Sequence, residues 1–267
     1  MKRFIYNKFT LLFLGTIFVI LIWFLISLIM DRNGAIFPSP ILTFESFVKL
    51  LGESYTYKCL LYTLMRMSAG FGLSFALALV VGIIAGNHPN VYQFLKPLMV
   101  VIKSIPTVAL IFLFVVLVAP KDAPILVVML ICFPILYEAI AGGIANIDKD
   151  IINASRVDGA TYLKSSLSIK LPLALPYIIV GMVSSFALSF KIVIMAEVIT
   201  GSTKNGLGSA IRDVQTNDPT NMSTIFAYAL IAVIFMLLIT LVEEIIKSIM
   251  NRRVAFPGLT TNKKDAH

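Results

Sequence analysis

Residues 123–145 read Ala-Pro-Ile-Leu-Val-Val-Met-Leu-Ile-Cys-Phe-Pro-Ile-Leu-Tyr-Glu-Ala-Ile-Ala-Gly-Gly-Ile-Ala, with Glu138 as the only charged side chain. A hydrocarbon core about 30 Å thick is crossed by about 20 mostly apolar residues in a helix rising about 1.5 Å per residue. This stretch meets that length. Its apolar residues run continuously instead of alternating in short segments, which excludes a membrane β-barrel. Moving outward, five further stretches meet the same test: Phe9–Met30, Leu60–Gly86, Phe94–Ala119, Leu175–Ile199 and Thr224–Ile249. The expected fold is an all-α integral membrane protein with six transmembrane helices.

Composition agrees. The chain has 267 residues, 58% hydrophobic and only 13% charged, with a mean hydropathy of +0.93, where a soluble domain carries about 25% charged residues. A water-soluble globule and a disordered chain are both excluded. The net charge of +8 gains its meaning from where the cations sit. With the N-terminus inside, Lys2, Arg3, Lys8, Lys96, Lys149, Arg156, Lys164, Lys170, Lys247, Arg252, Arg253, Lys263 and Lys264 share one side, against Arg32, Lys49, Lys58, Lys121, Lys204 and Arg212 on the other. The positive-inside rule then places both termini in the cytoplasm of a multi-pass plasma-membrane protein. No basic stretch outside the bilayer carries interleaved aromatics, so nucleic acid is not an expected partner. The run Phe9–Met30 is too long for a secretory signal and is kept as a span. Cys59 and Cys132 have no metal-ligand spacing and imply no disulfide framework.

Three connections are long enough to have a task. Residues 31–59 hold Pro38-Ser39-Pro40 and then apolar positions 41, 44, 47, 48 and 51 at helical spacing, which predicts a short amphipathic helix on the external surface. Residues 147–175 are cytoplasmic and polar. An acidic start, Gly159 as a helix stop and a second helix over 160–169 predict a helix-turn-helix projection, with Leu171-Pro172 and Leu175-Pro176 forcing extended backbone before the fifth span. Residues 201–222 are external and carry Gly201, Gly206 and Gly208; no phosphate-binding Gly-x-x-x-x-Gly-Lys-Ser/Thr motif occurs in the chain. The expected organisation is a tail, first helix and surface helix over 1–59, a five-helix core over 60–250 with its loop at 147–174, and a basic cytoplasmic tail over 251–267.

The cytoplasmic loop contains Asn153-Ala154-Ser155, then Arg156-Val157-Asp158, Gly159, nine residues, and Ile169-Lys170-Leu171-Pro172. This register resembles the Glu-Ala-Ala, three residues, Gly, nine residues, Ile-x-Leu-Pro pattern of permease subunits of binding-protein-dependent ABC importers. Asn153 stands where that family usually has Glu, and Ser155 where it has Ala. Further similarities run in order along the chain: Pro38-Ser39-Pro40, Thr63-x-x-Arg66-x-x-x-Gly70-Phe71, Pro97 with Ser104-Ile105-Pro106, and Lys191 through Ala196-Glu197 into Gly206-Leu207-Gly208. Together they resemble the nitrate, sulfonate, taurine and bicarbonate permeases, a group that also has relatives importing vitamin precursors. The resemblance implies a type I, MetI-like transmembrane core, no enzymatic activity in this chain, and a translocation pathway for a small solute. It also implies three partners besides the lipid bilayer: a second permease copy, a dimer of separate ATPase subunits using ATP and Mg, and an extracytoplasmic binding protein.

On that reading Asn153, Ala154, Ser155, Arg156, Asp158, Gly159, Ala160, Ile169, Leu171 and Pro172 form the ATPase-coupling loop. Ionisable groups inside a span cost a few kcal/mol at the bilayer centre and normally face protein or a water-filled path. Glu138, Lys191, Glu197 and Arg66 are therefore candidate pathway residues, with Lys103 a further ionisable candidate within a span; the competing account has Lys191 or Arg66 neutralising Glu138 or Glu197 between helices. Pro106 and Pro134 remove backbone donors within spans and are candidate hinges. No metal site, resident cofactor or catalytic constellation is expected. An ion-gradient-driven secondary transporter is the alternative; it predicts inverted repeats and broken helices, for which the sequence offers no sign.

Overall fold

A computed structural model describes residues 8–30, 36–148, 166–201 and 204–253, and the described residues are helical with no strand. In chain order the helices are α1 (Lys8–Met30), α2 (Pro40–Leu51), α3 (Ser54–Asn87), α4 (Pro89–Ser104), α5 (Thr107–Leu117), α6 (Ala123–Ala145), α7 (Leu171–Thr200), α8 (Leu207–Asn217) and α9 (Met222–Arg253). A π-helical turn, Ser166–Lys170, leads directly into α7. Five helices (α1, α3, α6, α7 and α9) are each long and apolar enough to cross a membrane, and α4 with α5 adds a sixth crossing if that bent pair is counted as one.

α6 lies at the centre of the bundle, between α3 and α7. Small residues set both contacts. A Cβ on Gly70 would meet Val128 at 2.8 Å, and one on Gly82 would meet Ile140 at 2.8 Å. Gly86 likewise has no room beside Ile144, at 2.7 Å. Residue numbers rise together along this contact, so α3 and α6 run parallel. Against α7 they run in opposite senses: Gly143 faces Ala174, Gly181 faces Ala139, and Cys132 Sγ donates to the Ser185 carbonyl at 3.6 Å. Lipid supplies no hydrophobic drive between helices, so close packing of this kind has to hold them together. Val127, Val128, Leu136, Tyr137 and Ile140 of α6 are sealed in this core with Met67 and Ala78 of α3 and Phe190 and Val193 of α7.

The bundle has two ends. One, the loop end, gathers Asn87, Ala145 and Leu171; the other, the hairpin end, gathers Ser54, Ala123, Thr200 and α8. α2 begins where Ser39 accepts a hydrogen bond from the Leu42 amide and Pro40 occupies the first turn. It rests on α9, with Ser46 Oγ donating to Ser223 Oγ at 3.0 Å. α1 stands apart, its exposed apolar surface suited to lipid, and is joined to the rest at its end: Trp23 Nε1 donates to the Pro38 carbonyl at 3.0 Å and its ring lies 6.1 Å from that of Phe226.

Two expectations need correction. The stretch Phe94–Ala119 is not one straight span: α4 and α5 meet at 92°. Pro106 has no amide hydrogen and holds Ile105 in an extended conformation (φ −72, ψ 126). α4 and α5, at 16 and 11 residues, are each too short to cross about 30 Å alone. The second correction concerns Leu171-Pro172 and Leu175-Pro176, which are not extended. Helical backbone runs through both, with Pro172 in the first turn of α7 directly after the π turn and Pro176 inside the helix.

Candidate functional site

At the hairpin end a fully buried carboxylate ties three segments together. Glu197, on the last turns of α7, accepts from Arg66 Nη1 at 2.6 Å, from Thr63 Oγ1 at 2.8 Å and from the Gly208 amide at 3.0 Å. Thr63 in turn accepts from the Leu207 amide at 2.8 Å. Arg66 also donates to the carbonyls of Asn205 and Lys204, at 2.7 and 3.0 Å. The backbone reaches the carboxylate only because two residues lack a side chain: a Cβ on Gly206 would lie 2.7 Å from the carboxylate, and one on Gly208 would lie 2.4 Å from the Ile194 carbonyl. The reversal that brings the chain there uses Gly201 at φ +62 as the α7 cap and Asn205 at φ 58. Arg66 and Glu197 are thus brought together, and their hydrogen-bonding capacity goes into holding α8 against α3 and α7.

Glu138 and Lys191 occupy a different setting. Over residues 123–144 of α6 the only exposed residue is Glu138, and over residues 181–200 of α7 it is Lys191. Over these ranges each helix presents a single exposed side chain, an ionisable one, to the outside of this single chain. Charge at membrane depth is not stable against lipid tails, so these positions face water or another protein surface. The two are not paired with each other. Helix registration sets Lys191 level with the first turns of α6, leaving it about 16 Å along the bundle from Glu138. Glu138 instead pairs with Lys103, in the last turn of α4. Lys191 has no hydrogen bond or ion pair with any described residue.

Lys103 borders a cavity of about 200 Å³ at the α4–α5 bend, lined also by Ile105, Thr107, Ile131, Pro134 and Ile135. The two candidate hinges differ. Pro106 sits at the break itself, whereas Pro134 is buried within a continuous α6.

At the loop end, Ile169, Leu171 and Pro172 lie at the junction of the π turn and α7. Asn153, Ala154, Ser155, Arg156, Asp158, Gly159 and Ala160 lie outside the described residues. Sequence reasoning missed Lys170 and Asn87. Lys170 is only 8% exposed, and its Nζ donates to Asn87 Oδ1 at 2.8 Å. The available signal was a lysine embedded in Ile-Lys-Leu-Pro, where an exposed loop cation has no reason to precede an apolar helix so closely. The partnership of Lys103 with Glu138 was also missed, since the 92° bend that aims Lys103 at α6 has no counterpart in an apolar run read as straight.

Comparison with known proteins gives a consistent result. Residues 78–256 match the family model described as "Binding-protein-dependent transport system inner membrane component". The nitrate import permease protein NrtB of Leptolyngbya laminosa is 28% identical over 183 residues, 67% of this chain and 64% of that protein. The bicarbonate transport system permease protein CmpB of Synechococcus elongatus is 29% identical over 153 residues, 57% of this chain and 54% of that protein. Among solved structures, a chain of the MetNI methionine ABC transporter in an inward-facing conformation superposes with a TM-score of 0.62 at 18% identity, over 73% of this chain and 96% of that one. The MetI-like core is therefore present in the fold.

Proposed function

The chain belongs to the family of binding-protein-dependent transport system inner membrane components, and from that premise we propose that two copies of it enclose a pathway through which ATP hydrolysed by separate subunits drives a small anion into the cell. The family match over residues 78–256 carries the importer reading. The direction of the basic residues supports cytoplasmic termini in a plasma membrane, with the 147–174 loop on the ATPase side. A binding protein delivers solute at the hairpin end. Closure of the ATPases on ATP, with Mg, pushes the loops and switches the bundle between inward-open and outward-open states.

Within this reading Glu138 and Lys191 line the pathway. Each is the one exposed position over residues 123–144 of α6 and 181–200 of α7, and a second copy across a symmetry axis covers that side from lipid. Lys191, without an ion partner among the described residues, is the group that attracts an anionic solute, in keeping with relatives named for nitrate and bicarbonate. Glu138 is already neutralised by Lys103 and serves the lower part of the path. Arg66 and Glu197 are assigned to holding the hairpin, and Pro106 to the bend beside the path.

The α4–α5 break is the feature that a gradient-driven carrier would share. Such a carrier places broken helices in both halves of an inverted repeat, whereas one bent pair occurs among the described residues. The test is reconstitution of the purified complex with its binding protein, followed by ATP-driven uptake of nitrate, bicarbonate or a short alkanesulfonate. The reading expects uptake that requires ATP and that Lys191→Met lowers at least tenfold with the complex intact. ATP-independent uptake driven by an ion gradient contradicts it.

A further inference from the structure

α3 and α7 run antiparallel and are pinned to each other at both ends. At the loop end the pin is Lys170 Nζ on Asn87 Oδ1, at 2.8 Å, with Asn87 Nδ2 in turn donating to the Ile83 carbonyl at 2.8 Å, which fixes the amide's orientation. At the hairpin end the pin is Arg66 and Thr63 on Glu197, at 2.6 and 2.8 Å. From Arg66 to Asn87 the two pins are about 32 Å apart along α3, close to the thickness of the hydrocarbon core. They therefore sit near the two faces of the membrane.

The helix between the pins is built to be stiff. α3 runs unbroken for 34 residues with no proline, while α4, α6 and α7 each carry one inside. Proline is the usual origin of a sharp bend. The glycine contacts at Gly70, Gly82 and Gly86 lock α3 onto α6 along most of that length. α7, in contrast, carries Pro176 six residues beyond Lys170.

We propose that α3 is the strut of this closed frame: the Lys170–Asn87 bond transfers movement of the loop base into α3, and the Arg66–Thr63–Glu197 cluster delivers it to α8, so that the hairpin end moves with the ATPase. The proposal rests on the importer reading and makes Lys170 and Asn87 positioning residues for coupling. Neither touches solute. An apolar residue at 87 removes this acceptor for the Lys170 ammonium and with it the loop-end bond between α3 and α7. An aspartate keeps the acceptor and adds a charge.

The experiment uses the whole complex with its ATPase in lipid nanodiscs and needs no transported solute. A spin label is placed at exposed Gln215 of α8 through Gln215→Cys, since Cys59 and Cys132 are buried, and the distance between labels on the two copies is measured before and after trapping with ATP and vanadate. The expected result is a nucleotide-dependent shift in the parent chain, loss of that shift in Asn87→Leu with ATPase activity retained, and its return in Asn87→Asp. The proposal is overturned if the parent chain shows no shift, if Asn87→Leu shifts as the parent does, or if Asn87→Asp fails alongside Asn87→Leu. Failure of the importer reading looks different: no ATPase is then recovered with the chain at all.

Discussion

Arg66→Met tests the buried cluster at the hairpin end. Glu197 is 0% exposed and Arg66 only 11%. Removing the arginine leaves a sealed carboxylate with the Thr63 hydroxyl and the Gly208 amide as its remaining donors. Breaking a buried pair from one side costs about 3–5 kcal/mol, because an uncompensated charge stays behind. Loss of two further bonds from Arg66 to the Asn205 and Lys204 carbonyls also releases the segment leading into α8. Glu197→Gln is expected to cost less, since the guanidinium keeps both carbonyls and the amide oxygen still accepts. The double variant Arg66→Met with Glu197→Gln should recover part of the loss, because no charge is then stranded. The assay is thermal inactivation of the detergent-solubilised complex by size-exclusion fluorescence, with protease cleavage between residues 201 and 208 as a local readout. A cost for Arg66→Met below about 1 kcal/mol, the range of exposed ion pairs, or a double variant weaker than both single ones, refutes the argument.

Three further outcomes follow from the same geometry. Gly208→Ala places a Cβ 2.4 Å from the Ile194 carbonyl and should lower stability by about 1–3 kcal/mol as an overpacked site. Gly15→Ala, with nothing within 4 Å in α1, should be neutral or gain up to about 1 kcal/mol, and thermal inactivation separates the two. Lys103→Met removes one partner of a pair exposed at 38% and 47% and should change thermal stability by less than about 1 kcal/mol while reducing ATP-driven uptake. Equal loss of both would show that Lys103 is part of the packing. Lys191→Met should leave complex recovery and melting unchanged and lower anion uptake at least tenfold, the effect of about 1.4 kcal/mol at the pathway; normal uptake removes Lys191 from the path.

The spans were legible because the hydrocarbon thickness imposes a length that any continuous apolar run reveals, and α6 was readable almost to the residue. α3 was less so: its first turns, from Ser54 to Cys59, are polar enough to look like a connection although they belong to the same 34-residue helix. The α4–α5 bend escaped because hydropathy is blind to direction, and Pro106 signals a break without its angle. Pro172 and Pro176 misled for the opposite reason. The π turn before Pro172 already supplies helical backbone, and the helix continues through both prolines at the loss of their amide donors. Arg66, Glu138, Lys191 and Glu197 stood out as charges in apolar surroundings, yet the choice of partners depended on helix registration. The packing of Gly143 on Ala174 and of Gly181 on Ala139 sets the register of α6 and α7, and it leaves Lys191 and Glu138 too far apart to pair.

The central claim is that this chain is driven through its 147–174 loop by a separate ATPase, and one measurement addresses it most directly. The tagged chain is purified from its native membranes in mild detergent, and ATP hydrolysis in the eluate is assayed for the parent and for Gly159→Arg. The account predicts ATPase activity recovered with the parent chain and lost with Gly159→Arg, whose added bulk and charge block docking while the chain still reaches the membrane in equal amount. A parent chain that elutes without ATPase, or a Gly159→Arg variant that retains all of it, contradicts the account.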